Sequence, residues 1–158
     1  MIDKVNLAEK FALFSDHCNP RIVGAVNDCQ VKVVKLKGEF IWHHHEAEDE
    51  MFLVIRGRLT MNFRDRAVDI APGEFIIVPR GVEHKPAAEG EVEILLFEPG
   101  TVLNTGNVVN DRTVAQLRAY FDRLERDAPS GAHGKTPRAS SIGRRASSVK
   151  SIAKRGPR

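Results

Sequence analysis

The sequence lacks any long apolar run. No stretch approaches the roughly 20 residues needed to span a bilayer. The opening segment, MIDKVNLAEKFALF, is broken by Asp3, Lys4, Asn6, Glu9 and Lys10 and does not read as the apolar region of a signal peptide. Cysteine is scarce as well. Cys18 and Cys29 have no short Cys spacing, which excludes a disulfide framework or a zinc knuckle. They read as two idle thiols, and with no export signal a reducing, cytoplasmic location is expected. Acid is missing from one end: from Ala128 onward there is no Asp or Glu, against eight basic residues from Lys135 to Arg158. Taking those eight from a whole-chain charge of +3 leaves residues 1–127 at −5. The basic pI near 9.0 therefore belongs to the C-terminal segment and says nothing about the rest.

That division sets the expected organisation: one folded domain over residues 1–127 and a disordered tail over 128–158. The tail is Ser, Gly, Pro, Ala and basic residues without apolar periodicity, a composition that cannot bury enough surface to offset its ordering entropy. Its charge could contact nucleic acid or an anionic membrane, and such binding would weaken with salt. The Arg144-Arg145-Ala146-Ser147 stretch resembles a basophilic kinase site, although a plain solvated extension is the simpler reading.

The folded part begins with a short helix expected over 5–14, capped by Asn6 with Glu9 three residues on. Two β-prone runs follow, Arg21–Val26 and Gln30–Leu36, around an Asn27-Asp28 turn. After Gly38 come Phe40–His45, Met51–Ile55, Leu59–Phe63, Ala67–Ile70, Glu74–Val78 and Val92–Phe97. They are punctuated by Gly57, Pro72-Gly73, Arg80-Gly81 and Gly90. Many short strands without intervening helices predict an all-β barrel or sandwich. A second helix is expected from Thr113 to Leu124, with Val114, Leu117, Phe121 and Leu124 on one face, packed on the outside of the barrel.

Chemistry concentrates in two stretches. In the first, Gly38-Glu-Phe-Ile-Trp-His43-His44-His45-Glu-Ala-Glu-Asp-Glu50, alternation on a strand puts His43 and His45 on one face and His44 on the other. Two imidazoles so placed can reach one metal ion, and Glu50 would add a carboxylate oxygen. The second, Gly73-Glu-Phe-Ile-Ile-Val-Pro79-Arg-Gly81-Val-Glu-His84, ends a β run in Pro-x-Gly and presents one more His. A His-x-His pair alone is ordinary on a solvated strand; its conjunction with Glu50 and His84 points to a site. Asp49 rivals Glu50 for the carboxylate position. Glu46 and Glu48 read as a solvated acidic loop. Thr60, Asn62 and Arg64 share the face opposite Leu59, Met61 and Phe63 and read as surface. Phe40 and Trp42 share the face opposite His43, where they would pack on a second sheet or a second subunit.

The two stretches resemble the paired motifs of the cupin family. The first motif is matched by the His43–His45 pair, Glu50 after four residues and Gly57 after six more, with Gly38 one residue nearer the pair than usual. The second is matched by Gly73, Pro79, Gly81 and His84, with Ala88 where the pattern has Asn. The fifteen-residue link Arg58–Pro72 resembles the short single-domain bacterial cupins. The likeness is close over 38–98 and extends over about 20–127. It implies a double-stranded β-helix, the cupin jelly-roll barrel, holding one metal through His43, His45, Glu50 and His84. Three imidazoles and a carboxylate suit Mn, Fe, Co, Ni, Cu or Zn as divalent ions. Four protein donors on a six-coordinate ion leave two places for a small ligand. The resemblance implies a metal-dependent enzyme of isomerase/epimerase or dioxygenase type acting on a small chelating substrate. The other expectation is a non-catalytic small-ligand binding or sensor module. A homodimer is expected, since small cupins commonly pair through strands.

Overall fold

The computed structural model describes residues 3–114 and the backbone of Arg118–Ala119. Of the two units into which the chain divides, 1–128 and 129–158, only the first contains described residues. The tail expected at 128–158 therefore lies outside them.

A short helix α1, Leu7–Ala12, opens the fold. Asn6 caps it as its sequence position requires: Oδ1 accepts from the Ala8 and Glu9 amides at 3.0 and 3.4 Å, and Nδ2 donates to Glu9 Oε1 at 2.9 Å. The strands that follow are β1 (Arg21–Val26), β2 (Cys29–Glu39), β3 (Glu50–Arg56), β4 (Leu59–Phe63), β5 (Ala67–Ile70), β6 (Phe75–Val78), β7 (His84–Pro99) and β8 (Arg118–Ala119). Asn27, at φ 52°, makes the β1–β2 hairpin turn. All pairings are antiparallel except that of β8 with β1.

Strand β7 organises the barrel. Its sixteen residues pair with β2 along nearly their whole length, with β3 over Glu93–Phe97, and with β4 over His84–Ala87. One strand thus joins β2, β3 and β4 in a single sheet path, and the fold is the expected jelly roll. Alternation fills the interior with Val34 and Leu36 of β2, Phe52 and Val54 of β3, Leu59 and Met61 of β4, and Val92, Ile94 and Leu96 of β7. Ala88, standing where the motif has Asn, is buried in this core. A second cluster lies outside the sheet, where Phe11 and Phe14 cover Val23 and Val33.

Two expectations need correction. Phe40–His45 is not a strand; only His43 makes a bridge, to His84. Phe40 consequently does not share Trp42's orientation. It turns toward the core beside His43, whereas Trp42 lies under the Arg64 guanidinium, 4.0 Å from the ring centroid. The helix expected from Thr113 falls largely outside the described residues, and its described part is not helical: Arg118–Ala119 pairs with β1. Just upstream, polar side chains close a turn. Asn110 Oδ1 accepts from the Arg112 amide at 2.8 Å, and the Thr113 hydroxyl accepts from the Asn110 amide at 3.0 Å.

The β3–β4 turn depends on one glycine. Gly57 sits at φ 86°, and a Cβ there would lie 2.6 Å from the Glu91 carbonyl of β7. Gly57→Ala should cost roughly 2 kcal/mol through the left-handed backbone and this clash. Urea unfolding will show it; a loss below about 0.5 kcal/mol would contradict the packing described.

Candidate metal centre

The barrel brings the four singled-out side chains to one place. His43 and His84 face each other across a two-way bridge, with the His43 amide donating to the His84 carbonyl at 3.0 Å and the reverse bond at 2.9 Å. His45 is tied to the second motif by its carbonyl, which accepts from the Gly81 amide at 2.7 Å. Glu50 opens β3 with its side chain inward. The donor atoms of His43, His45, Glu50 and His84 all lie within 4.8 Å of one another, and all four residues are buried. Asp49 goes elsewhere: it is exposed, and its Oδ1 accepts from the Arg80 backbone and Nε at 3.0 and 3.2 Å. His44 points away to Glu46.

Backbone carbonyls set the ring tautomers. His43 Nδ1 lies 3.0 Å from the Ile41 carbonyl and His84 Nδ1 3.0 Å from the Val82 carbonyl. A carbonyl only accepts, so each Nδ1 carries the hydrogen and each Nε2 keeps a lone pair. His84 is fully buried, and its Nε2 has no hydrogen-bond partner; Glu50 Oε2 is 3.5 Å away. A buried lone pair without a donor is costly in an empty protein and natural in a metal site. The donor set therefore fits a divalent transition ion.

Electrostatics keep one ring neutral beside one anion. Burial first, then the neighbouring His84, push His43 down to about 4. Burial opposes the Glu50 charge, but the His45 and His84 rings outweigh it and hold the carboxyl below the usual range. His45 Nε2 is 3.1 Å from Glu50 Oε2.

Sequence reasoning missed two inward charges. Lys32 on β2 and Glu98 on β7 are almost fully buried, and Lys32 Nζ donates to Glu98 Oε1 at 2.6 Å. The Glu98 carboxyl neighbours that of Glu50. Burial, and next the Glu50 charge, push Glu98 well above the usual carboxylate range. The available signal was strand parity: Lys32 shares a face with Val34 and Leu36, and Glu98 with Ile94 and Leu96.

On the other side of the group lies a cavity of about 50 Å³, lined by Val34, Leu36, Phe40, Phe52, Ile94 and Leu96, with Cys18 and Asn104 as added polar groups. That is room for roughly four water-sized atoms. A loop straps its rim. The Asn107 amide donates to the His44 carbonyl at 3.0 Å, and Asn107 Oδ1 accepts from the His44 amide at 3.0 Å. Gly106 packs so closely on the His44 carbonyl that no side chain fits there.

A jelly-roll barrel with a buried triad of imidazoles and one carboxylate defines a class of metal-site barrel proteins. The comparisons are narrower. The cupin domain model matches residues 31–100. A cupin-2 domain containing protein from Shewanella frigidimarina, known from its crystal structure, is 45% identical; the match covers 60% of this chain and 93% of that one, with a TM-score of 0.60. A Neisseria meningitidis protein of known structure is 28% identical over 62% of this chain and 100% of its own, with a TM-score of 0.58. YdbB of Bacillus subtilis, an uncharacterized protein, is 33% identical over 78 residues, 49% of this chain and 63% of YdbB. The match thus spans less than two thirds of that curated relative. The chain belongs to the cupin family.

The His43 shift has a measurable consequence in chelator-treated protein. The unfolded imidazole titrates near 6.5 and the folded one near about 4. Between those values the unfolded state binds more protons, so stability falls as pH falls, by roughly 3 kcal/mol over the window. Urea unfolding of wild type and His43→Gln between pH 7 and pH 4 checks this. Wild type should lose more by about that amount; equal losses would contradict it.

Proposed function

We propose that His43, His45, Glu50 and His84 together hold one divalent transition ion, and that the cavity beside them receives a small molecule that chelates it. The observation that carries this reading is the buried, unpartnered lone pair of His84 Nε2 among three other convergent donors. The backbone carbonyls of Ile41 and Val82 orient two of the rings, and the β2, β3 and β7 side chains exclude water from one side. Such an ion supplies Lewis acidity to a chelated oxygen or, as iron(II), activation of dioxygen.

The lining narrows the ligand. Val34, Leu36, Phe40, Phe52, Ile94 and Leu96 suit an apolar body, and the small volume suits a compact chelating head. Among the described lining residues there is no Lys, Arg, Asp or Tyr to pass protons. That favours the dioxygenase type, in which the ion carries the chemistry, over an isomerase or epimerase. The same dryness supports a second reading, a non-catalytic binding or sensor module. We take the functional unit to be residues 1–127, acting in the cytoplasm, with the basic segment 128–158 as an appendage.

Elemental analysis of protein purified without added metal tests the proposal. About one transition ion per chain is expected, with His45→Ala and His84→Ala each folded but nearly metal-free. Unchanged stoichiometry in both variants would remove the assignment. Oxygen uptake by iron-loaded protein with a panel of small diketones and 2-oxo acids then separates the two readings.

We also propose a homodimer, on different grounds from the sequence expectation. Two cross-strand rows of apolar side chains cross the outside of the barrel, Ile77–Met51–Phe97–Val31 and Phe75–Leu53–Leu95–Val33. Helix α1 covers the Val33 end, while Phe75 and Ile77 are 61% and 55% exposed at the other. A second copy laid on these rows would bury them. Light scattering at micromolar concentration should give twice the chain mass, and Ile77→Lys with Phe75→Lys should halve it. A monomeric wild type would contradict the pairing.

A further inference from the structure

His43 and His45 must present their rings to one point, yet the segment that carries them is not a strand. His43 is bridged to His84 of β7, and the His45 carbonyl accepts from the Gly81 amide at 2.7 Å. The residue between them pairs with no described strand. Both backbone groups of His44 go instead to one residue of the strap that follows β7. The Asn107 amide donates to the His44 carbonyl at 3.0 Å, and the His44 amide donates to Asn107 Oδ1 at 3.0 Å. Two facing residues of an antiparallel pair exchange one N–H and one C=O in this way. Asn107 makes the same exchange with its side-chain oxygen in place of a carbonyl. It stands where a neighbouring strand would.

The strap is built around that contact. Two tight turns overlap on Gly106: its amide donates to the Leu103 carbonyl at 2.9 Å, and the Val108 amide to the Thr105 carbonyl at 3.0 Å. The strap is also stitched to residues 112–114. Asn104 Nδ2 donates to the Arg112 carbonyl and Asn104 Oδ1 accepts from the Val114 amide, both at 2.8 Å. The hydroxyl of Thr105, a fully buried residue, lies 2.7 Å from that of Thr113. Gly106 sits at φ 52°, and a Cβ there would overlap the His44 carbonyl and come within 3.2 Å of His43 Cδ2. The strap backbone therefore lies directly on the residue that joins the two inward rings. A loop that only covered the barrel would leave the half-exposed His44 backbone to bond with water. Here the orientation of His44 is fixed from outside. Turning it would swing one imidazole away from the other, because the alternation of side chains depends on extended backbone between them.

We propose that Gly106 and Asn107 are positioning residues of the metal centre, through which the strap holds His44 so that His43 and His45 stay aimed at one ion. This rests on the reading of the four-residue group as a metal site. It goes beyond that reading in assigning a role to two residues that supply no donor atom to the ion. Contacts that orient a metal ligand from behind are typically worth about 10–100-fold in affinity. A single exposed hydrogen bond is worth less, roughly threefold to tenfold.

The test uses the full-length protein, stripped with a chelator and titrated with Co(II). Affinity is read by competition and coordination by the visible absorption of the bound ion, with metal-free melting temperatures measured alongside. Asn107→Leu removes the acceptor at similar size; it should fold, bind Co(II) about threefold or more weakly and show a shifted spectrum. Gly106→Ala displaces the strap and should weaken binding by about tenfold or more. Asn107→Asp keeps the acceptor and should give the wild-type spectrum. Asn110→Ala removes a strap hydrogen bond that does not reach His44 and should change neither affinity nor spectrum. If folded Asn107→Leu keeps both affinity and spectrum, whatever its melting temperature, the strap is merely structural and the proposal is overturned while the metal site stands. If Asn107→Asp shifts the spectrum as far as Asn107→Leu, or Asn110→Ala lowers affinity as far, holding through His44 is wrong. If wild type binds no Co(II), the metal reading fails first and the proposal falls with it.

Discussion

Everything in this site depends on a pair of backbone hydrogen bonds, those that His43 and His84 exchange across the mouth of the barrel. They join the irregular segment that carries His43 and His45 to the start of the long strand β7. A shift of that bridge by one residue would turn His84 to the outer face. With it in place, three imidazoles and the first side chain of β3 converge. The remainder of the barrel serves this register. β7 is held on β2 along nearly its whole length, on β3 at one end and on β4 at the other, and Gly57 and Gly106 let two turns approach the backbone more closely than any side chain permits.

The site that results is asymmetric. One side is dry and small, bounded by Val34, Leu36, Phe52 and Ile94. The opposite side is charged but closed, with Glu98 and Lys32 locked to each other. The cavity is bounded by apolar walls together with His43 and Glu50. Such a division suits a centre whose chemistry is carried by its ion and whose protein groups orient, exclude water and fix tautomers.

Much of this was legible in the sequence, and the failures are instructive. The limits of β1, β4 and β5 followed from period-two alternation and from turn residues such as Asn27-Asp28, whereas β2 runs on to Glu39 and β7 begins at His84, well before the Val92 expected from its apolar run. The four clustered residues followed from motif spacing; parity alone could not choose between Asp49 and Glu50 across a turn. The structure separates them by burial, because Arg80 draws Asp49 outward. Parity misled at Phe40, where the chain leaves the strand and no longer alternates. It was also ambiguous at Lys32 and Glu98. Their strands carry charges on both faces, Lys35 and Glu93 among them, so no single charge stood out. At Asn110–Thr113 the polar side chains hydrogen-bond locally and close a turn, a choice between turn and helix cap that local sequence does not make.

In the proposed centre three imidazoles and one carboxylate share a single ion inside the barrel. X-ray absorption spectroscopy of the protein loaded with one equivalent of Zn(II) addresses it most directly. The expected result is a nitrogen- and oxygen-only coordination shell with the multiple-scattering signature of about three imidazoles. A shell containing sulfur, from Cys18 or Cys29, or one with no imidazole signature, would contradict it.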